Sequence, residues 1–275
     1  MRRILKYFRP FILSLLAAVA LLFIQANADL ALPDYMSRIV NVGIQQGGVE
    51  DALPEAMRAT TLEHLAFFLT PDEYAQVADH YRQVEPGSRD AGAYLERYPT
   101  LASEPIVVLQ PVDAATRDSL ETLLSRPLLM VAGLQMLAEN PERAGAMLPN
   151  LGFDLSQLPP GADVFSLLAR LPAEQRLGMV QAIDDRFAAM GGEKAIVQAA
   201  ARAVHAEYEA LGMDMSRIQN AYLLQVGGLM LLIALVSAVA TIVVGLLAAR
   251  VAAGLARDLR RYLYEHVMRF SGAEL

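Results

Sequence analysis

Two long apolar runs stand near the ends of the chain, and a polar stretch with short periodic segments lies between them. The first run, residues 10–28, holds 19 residues without a charge, and the second, residues 218–249, holds 32. A helix of about 20 apolar residues crosses the ~30 Å hydrocarbon core of a bilayer, whereas 32 residues would measure about 48 Å. The pattern therefore predicts two transmembrane helices, of which the second extends beyond the lipid.

The helical pattern continues past the end of the first apolar run. Leu32, Met36 and Ile39 keep helical spacing, and Asp34 and Arg38 form an i,i+4 pair that supports a helix. We therefore expect one helix from about residue 7 to about residue 44, kinked near Pro33.

A cleavable signal peptide is the alternative for this end of the chain. Residues 1–28 have a basic start, an apolar centre and the small residues Ala26 and Ala28 at the end. Cleavage there would leave a secreted domain held by one C-terminal span. The continuing apolar stripe favours an uncleaved first span, but both alternatives place the middle of the chain on the same side of the membrane.

Basic residues flank both runs on the side nearer the chain terminus. They are Arg2, Arg3, Lys6 and Arg9 before the first run, and Arg250, Arg257, Arg260 and Arg261 after the second. The positive-inside rule then places both termini in the cytoplasm of a multi-pass plasma-membrane protein and residues 45–217 outside the cell. This middle part carries a net charge of −12, which argues against a nucleic-acid partner.

The middle part consists of short helical segments separated by proline and glycine. The predicted helices are residues 54–69, 114–124, 127–138, 164–171, 173–190 and 193–211. A further helix begins at Thr70, where Pro71 fits the first turn and Glu73 completes a capping box. Only residues 105–112 have the composition of a strand. We expect an α-helical extracellular domain over residues 45–217.

Residues with catalytic or metal-binding chemistry are scarce. The four histidines are far apart, cysteine is absent, and no phosphate-binding loop or nucleophile elbow occurs. Glu207 and Glu209 resemble a paired site, but residues two apart do not face one another on a helix, so a solvated face is expected. We predict no catalytic residue, no metal site and no cofactor in this chain.

Polar and small residues within the spans are the candidates for function. Gln25, Asn27 and Asp29 in the first span and Gln225 in the second are candidates for a translocation pathway, because polar groups at membrane depth are costly and face protein or water. Asp29 could instead bond a neighbouring helix at the outer headgroup level. A stripe of small residues predicts close helix packing: Ser237, Thr241, Gly245 and Ala249.

The two ends of the chain resemble the first two transmembrane helices of a bacterial ABC exporter subunit of the multidrug or lipid type. At the front the resemblance rests on Asp29, Leu30, Pro33, Met36, Ile39, Gly43 and Ile44. At the back it rests on Arg257, Leu259, Arg260, Leu263, Val267, Phe270 and Ser271. The chain departs from the family in the long segment between the spans, residues 45–217, where the family has a short loop.

The resemblance implies an all-α membrane segment with residues 1–44 as cytoplasmic start and first helix, 45–217 as an outer insertion, 218–249 as second helix and 250–275 as a cytoplasmic extension. Arg257, Arg260, Arg261 and Phe270 would couple this extension to an ATPase. The expected partners are the bilayer, a second half-transporter in a homo- or heterodimer, and a nucleotide-binding domain encoded further on, where ATP and Mg²⁺ would bind. The alternative is an extracellular helical sensor or binding domain tethered by two spans.

Overall fold

The computed structural model describes residues 9–139, 164–188 and 192–268, and these are mostly helical. The chain divides into two compact units, which are described separately. One unit, the helix pair, consists of the two chain ends, Met1–Val40 and Leu223–Leu275; the other, the central unit, consists of Asn41–Tyr222. The helices are α1 (Ile12–Arg38), α2 (Ala59–Leu65), α3 (Pro71–His80), α4 (Ala91–Tyr94), α5 (Ala114–Glu139), α6 (Val164–Leu168), α7 (Ala173–Ala188), α8 (Glu193–Ala210) and α9 (Met215–Val267).

The first apolar run forms a helix that does not stop at residue 28. A 3₁₀ turn at Arg9–Phe11 leads into α1, which passes through Pro33, and the chain stays helical in π form over Ile39–Gln45. Helix α9 holds 53 residues without interruption, or about 80 Å at ~1.5 Å per residue. Both helices are long and apolar enough to cross a membrane. The expected start near residue 7 lies outside the described residues.

A small antiparallel sheet accompanies the helices of the central unit, which has two more strands than the one expected. Its strands are β1 (Ala56–Arg58), β2 (Tyr81–Val84) and β3 (Ile106–Leu109), in the order β1-β3-β2. Met57 of β1 pairs with Val107 of β3, and Gln83 of β2 pairs with the same residue from the other side. The predicted strand near residues 105–112 is confirmed as β3. The predicted helix over residues 54–69 begins only at Ala59, because the residues before it pair as β1 with β3, which lies far along the chain.

In the central unit, α5 and α8 pack against each other more extensively than any other two elements, and both contribute to its apolar core. The two helices predicted at 114–124 and 127–138 are one, α5, with Pro127 inside it. Leu124, Leu128 and Val131 are almost fully buried on one side of α5. Burial of such side chains stabilises by about 1.5–3 kcal/mol each, which offsets the hydrogen bond and the strain that an internal proline costs, about 3 kcal/mol.

The start of α3 confirms the predicted capping box. The Glu73 backbone N–H donates to Thr70 Oγ1 at 3.3 Å, and the Thr70 backbone N–H donates to Glu73 Oε2 at 2.8 Å. The two residues thus satisfy each other's backbone donors, which would otherwise have no partner in the first helical turn.

Two glycines allow the chain to leave the π-helical segment and enter the central unit. Gly47 and Gly48 have φ angles of +63° and +86°, which favour glycine because it has no β-carbon. A β-carbon at Gly48 would lie 2.9 Å from the Gln219 Cα. Gln219 Nε2 also donates to the Gly43 carbonyl at 2.8 Å. The first and last segments of the central unit are therefore in direct contact.

Candidate functional site

The polar residues predicted in the two long helices meet in one direct contact. Ser237 Oγ on α9 donates to Asp29 Oδ1 on α1 at 2.6 Å, and the Thr241 hydroxyl donates to the Ser237 carbonyl at 2.9 Å. Ser237 is buried, whereas Asp29 is exposed and forms no ion pair with any residue that the structure describes. The contact supports the packing alternative for Asp29 and leaves its carboxylate accessible to a further partner.

A second contact sets the register of α1 against α9. A β-carbon at Gly254 would overlap the Phe11 ring, so the glycine permits close approach at this point. At ~1.5 Å per residue the interval from Phe11, just before α1, to Asp29 is about 27 Å, and the interval from Ser237 to Gly254 on α9 is about 26 Å. The nearly equal intervals are those of an antiparallel helix pair.

In this register, the length along the helix pair over which neither helix carries a charged residue is shorter than the apolar run of either helix. Arg250 follows Ser237 on α9 at about 20 Å along the helix axis, for a rise of ~1.5 Å per residue. Asp29 is level with Ser237 because the two side chains are hydrogen-bonded. The charge-free segment between the level of Asp29 and the level of Arg250 is therefore about 20 Å long.

An apolar groove adjoins the Asp29–Ser237 contact. It has a volume of about 280 Å³ and is lined by Leu21, Ile24, Leu235, Val236, Val239 and Ala240. Its residues on α1 lie five and eight positions before Asp29, and its residues on α9 lie on both sides of Ser237 in the sequence. Asp29 does not line the groove itself, but its hydrogen-bond partner Ser237 is next in sequence to Val236, which does.

Among the described residues, no hydrogen bond joins the other pathway candidates to Asp29. Gln25 is half-buried, and Gln225 is exposed. Asn27 is exposed, and its amide donates to the Phe23 carbonyl of the same helix at 2.7 Å. The bond satisfies the asparagine amide within α1 itself.

Of the four residues predicted to form a packing stripe, one is buried. Ser237 contacts α1, whereas three are exposed: Thr241, Gly245 and Ala249. Residues four apart advance by about 40° around an α-helix, so a stripe of that spacing turns away from the contact. The buried positions of α9 are Val226, Ser237 and Ala240. Gly254 is a close-approach position that the predicted stripe did not include.

The arginines predicted to couple the last part of α9 to an ATPase are exposed. Arg257 forms an ion pair with Asp258 at 3.1 Å, and Arg261 forms one with Glu265 at 3.0 Å. Arg260 is exposed as well. Phe270, the fourth residue of this group, lies outside the described residues.

A buried carboxylate in the central unit was missed by the sequence interpretation. Glu207 on α8 is 4% exposed, which corrects the expectation of a solvated face; Glu209 is exposed. Arg58 Nη2 donates to Glu207 Oε2 at 2.8 Å, the Arg58 backbone N–H donates to Oε1 at 2.7 Å, and the Thr61 hydroxyl lies 3.0 Å from both oxygens. Glu207 falls on the same helical stripe as the buried residues Ile196, Ala200 and Val204, and this spacing is the signal that could have revealed it.

Two tyrosines beside this cluster satisfy buried backbone groups. Tyr208 Oη accepts from the Glu55 backbone N–H at 2.8 Å, and Tyr81 Oη donates to the Pro54 carbonyl at 2.7 Å. Burial raises the pKa of Tyr208 and of Tyr81 above the ordinary tyrosine value. Both side chains therefore stay neutral at physiological pH and serve as hydrogen-bonding groups that hold the segment before β1.

Over residues 9–139, 164–188 and 192–268, no three histidine or acidic side chains converge to hold a metal ion. No protein-family model, no curated protein and no solved structure matches the chain. Function must therefore be inferred from the helix pair, the groove and Asp29.

Proposed function

We propose that this chain is the membrane segment of an ABC exporter subunit, in which α1 and α9 are the first two transmembrane helices. The observation that carries the proposal is that the first helix continues through Asp29 and Pro33 to Gln45. A cleavable signal peptide would end at the small-residue site near residue 28. The continuous helix supports an uncleaved span that projects past the bilayer, as the resembling residues imply.

The antiparallel register supports the same placement. If both helices cross a bilayer and their basic residues lie at the same end of the helix pair, that end faces the cytoplasm. Both chain termini would then be cytoplasmic. Phe11 and Gly254 are level in the register, so Arg9 and Arg257 follow at similar heights. The central unit would then lie outside the cell.

The proposed placement puts an ionisable group at hydrocarbon depth. The charge-free segment of about 20 Å is shorter than the ~30 Å hydrocarbon core, and any tilt shortens it further along the bilayer normal. Arg250 can extend its long side chain to the inner interface, whereas an aspartate is too short to do so. Asp29 is therefore the charged residue left within the outer half of the membrane.

ATP would bind on a domain outside these 275 residues, and its closure around ATP would shift a two-state equilibrium of the transmembrane helices. A dimer with a second half-transporter would complete the helix bundle. The exposed faces of α1 and α9 support this, because many large apolar side chains on them are exposed, including Leu13, Leu224 and Leu231.

Two measurements test this proposal. Intact-mass determination of membrane-extracted protein should find residues 1–28 retained; a mature chain that begins near Asp29 would refute the first span. The chain has no cysteine, so single cysteines can report topology. An impermeant maleimide should label Glu104→Cys on intact cells and Tyr264→Cys only after permeabilisation, and the reverse result would refute the proposed orientation.

A membrane-tethered sensor or binding domain is the second candidate. It is supported by the central unit, which has its own apolar core and few exposed large apolar side chains. The gene sequence beyond codon 275 separates the two candidates. An exporter subunit would continue into four further spans, whereas a sensor would continue into a signalling helix and a kinase-type module.

A further inference from the structure

We infer that Asp29 and the groove beside it form a binding site for an outer-leaflet lipid whose headgroup carries an ammonium group. The inference rests on the membrane placement proposed above, but not on the exporter function. The headgroup would meet the Asp29 carboxylate, and an acyl chain would occupy the groove.

The first argument is the missing counter-charge. A carboxylate at hydrocarbon depth is costly and is normally paired. Ser237 supplies one hydrogen bond to Asp29 Oδ1, but a hydroxyl carries no charge. Along the two helices, the nearest cationic residues are Arg38, outward from Asp29 on α1, and Arg250, inward from Ser237 on α9. At ~1.5 Å per residue both are more than about 13 Å away along the axis, which is too far for an ion pair with Asp29, so a cationic ligand could supply the counter-charge that the described parts of the two helices lack.

The second argument is the chemistry of the groove. All six of its lining residues are apolar, and it is open on one side. Several of them, such as Ile24, Leu235 and Val239, are also exposed. In a bilayer this surface is filled by hydrocarbon, since no polar group is present to hold water. The groove itself therefore selects only for an apolar chain, and Asp29 is the element that can select a headgroup.

The third argument is the order of the two features along the bilayer normal. The α1 residues of the groove, Leu21 and Ile24, precede Asp29 and thus lie on its cytoplasmic side in the proposed orientation. An outer-leaflet lipid has its headgroup outward and its chains toward the midplane. On α1 the carboxylate and the groove are arranged in the same order, while the α9 side of the groove extends to both sides of the level of Ser237.

The lipid phosphatidylethanolamine is the probe, because its ammonium group both carries charge and donates hydrogen bonds. The full chain, purified in detergent, is mixed with equal amounts of dioleoyl phosphatidylethanolamine and dioleoyl phosphatidylglycerol, and retained lipid is counted by native mass spectrometry. We expect the wild type to retain the ethanolamine lipid at least tenfold more than the glycerol lipid. Equal retention of both would overturn the inference.

Variants locate the selectivity. Asp29→Asn keeps an acceptor for Ser237 and removes the charge, so the preference should disappear while helicity is unchanged. Asp34→Asn, which removes an exposed carboxylate on the same helix, should retain the full preference. Val239→Phe fills the groove from an exposed position and should reduce retention of both lipids. Wild-type selectivity in Asp29→Asn, or undiminished retention of both lipids in Val239→Phe, would overturn the site.

The topology measurement separates this inference from the proposed function. If the cysteine labels report two spans and lipid selectivity is absent, the lipid site alone is refuted. If Asp29→Cys reacts with an impermeant reagent as fast as Glu104→Cys does, Asp29 lies in water and the lipid site is refuted, whereas the exporter proposal stands or fails by the labels at residues 104 and 264.

Discussion

The interactions inside the helix pair differ from those inside the central unit. No residue of α1 is buried, and α9 buries Val226, Ser237 and Ala240. The central unit, in contrast, encloses a continuous apolar core with large side chains such as Phe68 and Leu101 almost fully removed from solvent. In water the burial of apolar surface drives such a core together.

The difference shows how the solvent decides the energetics of each unit. Between helices in a bilayer the hydrophobic effect contributes little, because lipid is as apolar as the side chains, and close packing and hydrogen bonds remain. The Asp29–Ser237 bond and the close approach at Gly254 are contacts of that kind. A polar group in the central unit, such as Glu207, has to be fully paired to be tolerated.

The largest effect is expected from the buried carboxylate of the central unit. Glu207→Ala removes the acceptor of the Arg58 guanidinium, the Arg58 backbone N–H and the Thr61 hydroxyl. Because breaking a buried pair leaves a charge without its partner, we expect a loss of about 3–5 kcal/mol in the free energy of unfolding. Urea unfolding of the full chain in detergent, followed by hydrogen exchange in α8, measures this loss. Glu209→Ala removes an exposed carboxylate two residues away and should change the stability by less than about 0.5 kcal/mol; equal losses would contradict the interpretation.

The next effect concerns the glycines at the beginning of the central unit. Gly48→Ala combines a positive φ angle with a β-carbon 2.9 Å from the Gln219 Cα. We expect a loss of about 2–4 kcal/mol, because backbone strain costs about 1–2 kcal/mol and overpacking about 1–3 kcal/mol. Gly87→Ala is the matched control, since Gly87 has φ +74° and open space around its Cα; it should lose only the strain, about 1–2 kcal/mol. Thermal unfolding of the two variants compares them, and identical losses would exclude the contact with Gln219 as a cause.

A smaller effect is expected in the helix pair. Ser237→Ala removes the hydrogen bond to Asp29 and should weaken the pair by about 0.6 kcal/mol, and by less than about 1.7 kcal/mol, as is typical of hydrogen bonds between membrane helices. The cysteine pair Phe11→Cys and Gly254→Cys reports helix association through its disulfide equilibrium in a redox buffer. Ser216→Ala removes an exposed hydroxyl of the same helix and should leave that equilibrium unchanged. If Ser237→Ala weakened helix association by several kcal/mol, the expected small contribution of this hydrogen bond would be contradicted. The helix pair would then depend on one polar contact as strongly as the central unit depends on Glu207.

The smallest effect is a pH dependence at Glu121. Burial raises the pKa of Glu121, although the Ala52 backbone N–H, which donates to its Oε1 at 2.8 Å, opposes the rise. Since the folded-state pKa exceeds the unfolded value, the folded state loses stability relative to the unfolded state as pH rises from about 4.5 through the folded pKa. Glu121→Gln keeps the acceptor for Ala52 and does not titrate. It should therefore be more stable than the wild type at neutral pH by less than about 1 kcal/mol, with no difference below about pH 4; solvent screening keeps the effect small. Urea midpoints between pH 3 and 8 test the sign, and a growing advantage of the glutamine toward low pH would contradict it.

Local features of the chain were predictable from the sequence, because they depend on neighbours within a few residues. The two apolar helices follow from uninterrupted apolar composition, and the start of α3 follows from the Thr70 and Glu73 capping box. The starts of α7 and α8 at Ala173 and Glu193 were also predicted. Each of these depends on helix propensity, capping or periodicity, which act over a single turn or a single helix.

Tertiary structure decided the features that depend on distant partners. Strand β1 forms because Met57 pairs with Val107, and so short a segment has no strand pattern of its own to detect. Helix α5 continues through Pro127 because the side chains on its buried face pack against α8. Glu207 is buried because Arg58 and Thr61, which are distant in sequence, meet it with matching donors.

The candidate site divides in the same way. Composition and spacing identified Asp29 and Ser237 as polar or small residues within apolar helices, but not that they bond to each other. Their pairing depends on the register of α1 against α9, and so does the choice of Ala240 and Gly254 over Gly245 as close-packing positions. Register is set by how the side chains of two helix surfaces pack against each other, so it cannot be predicted from the sequence of one helix alone.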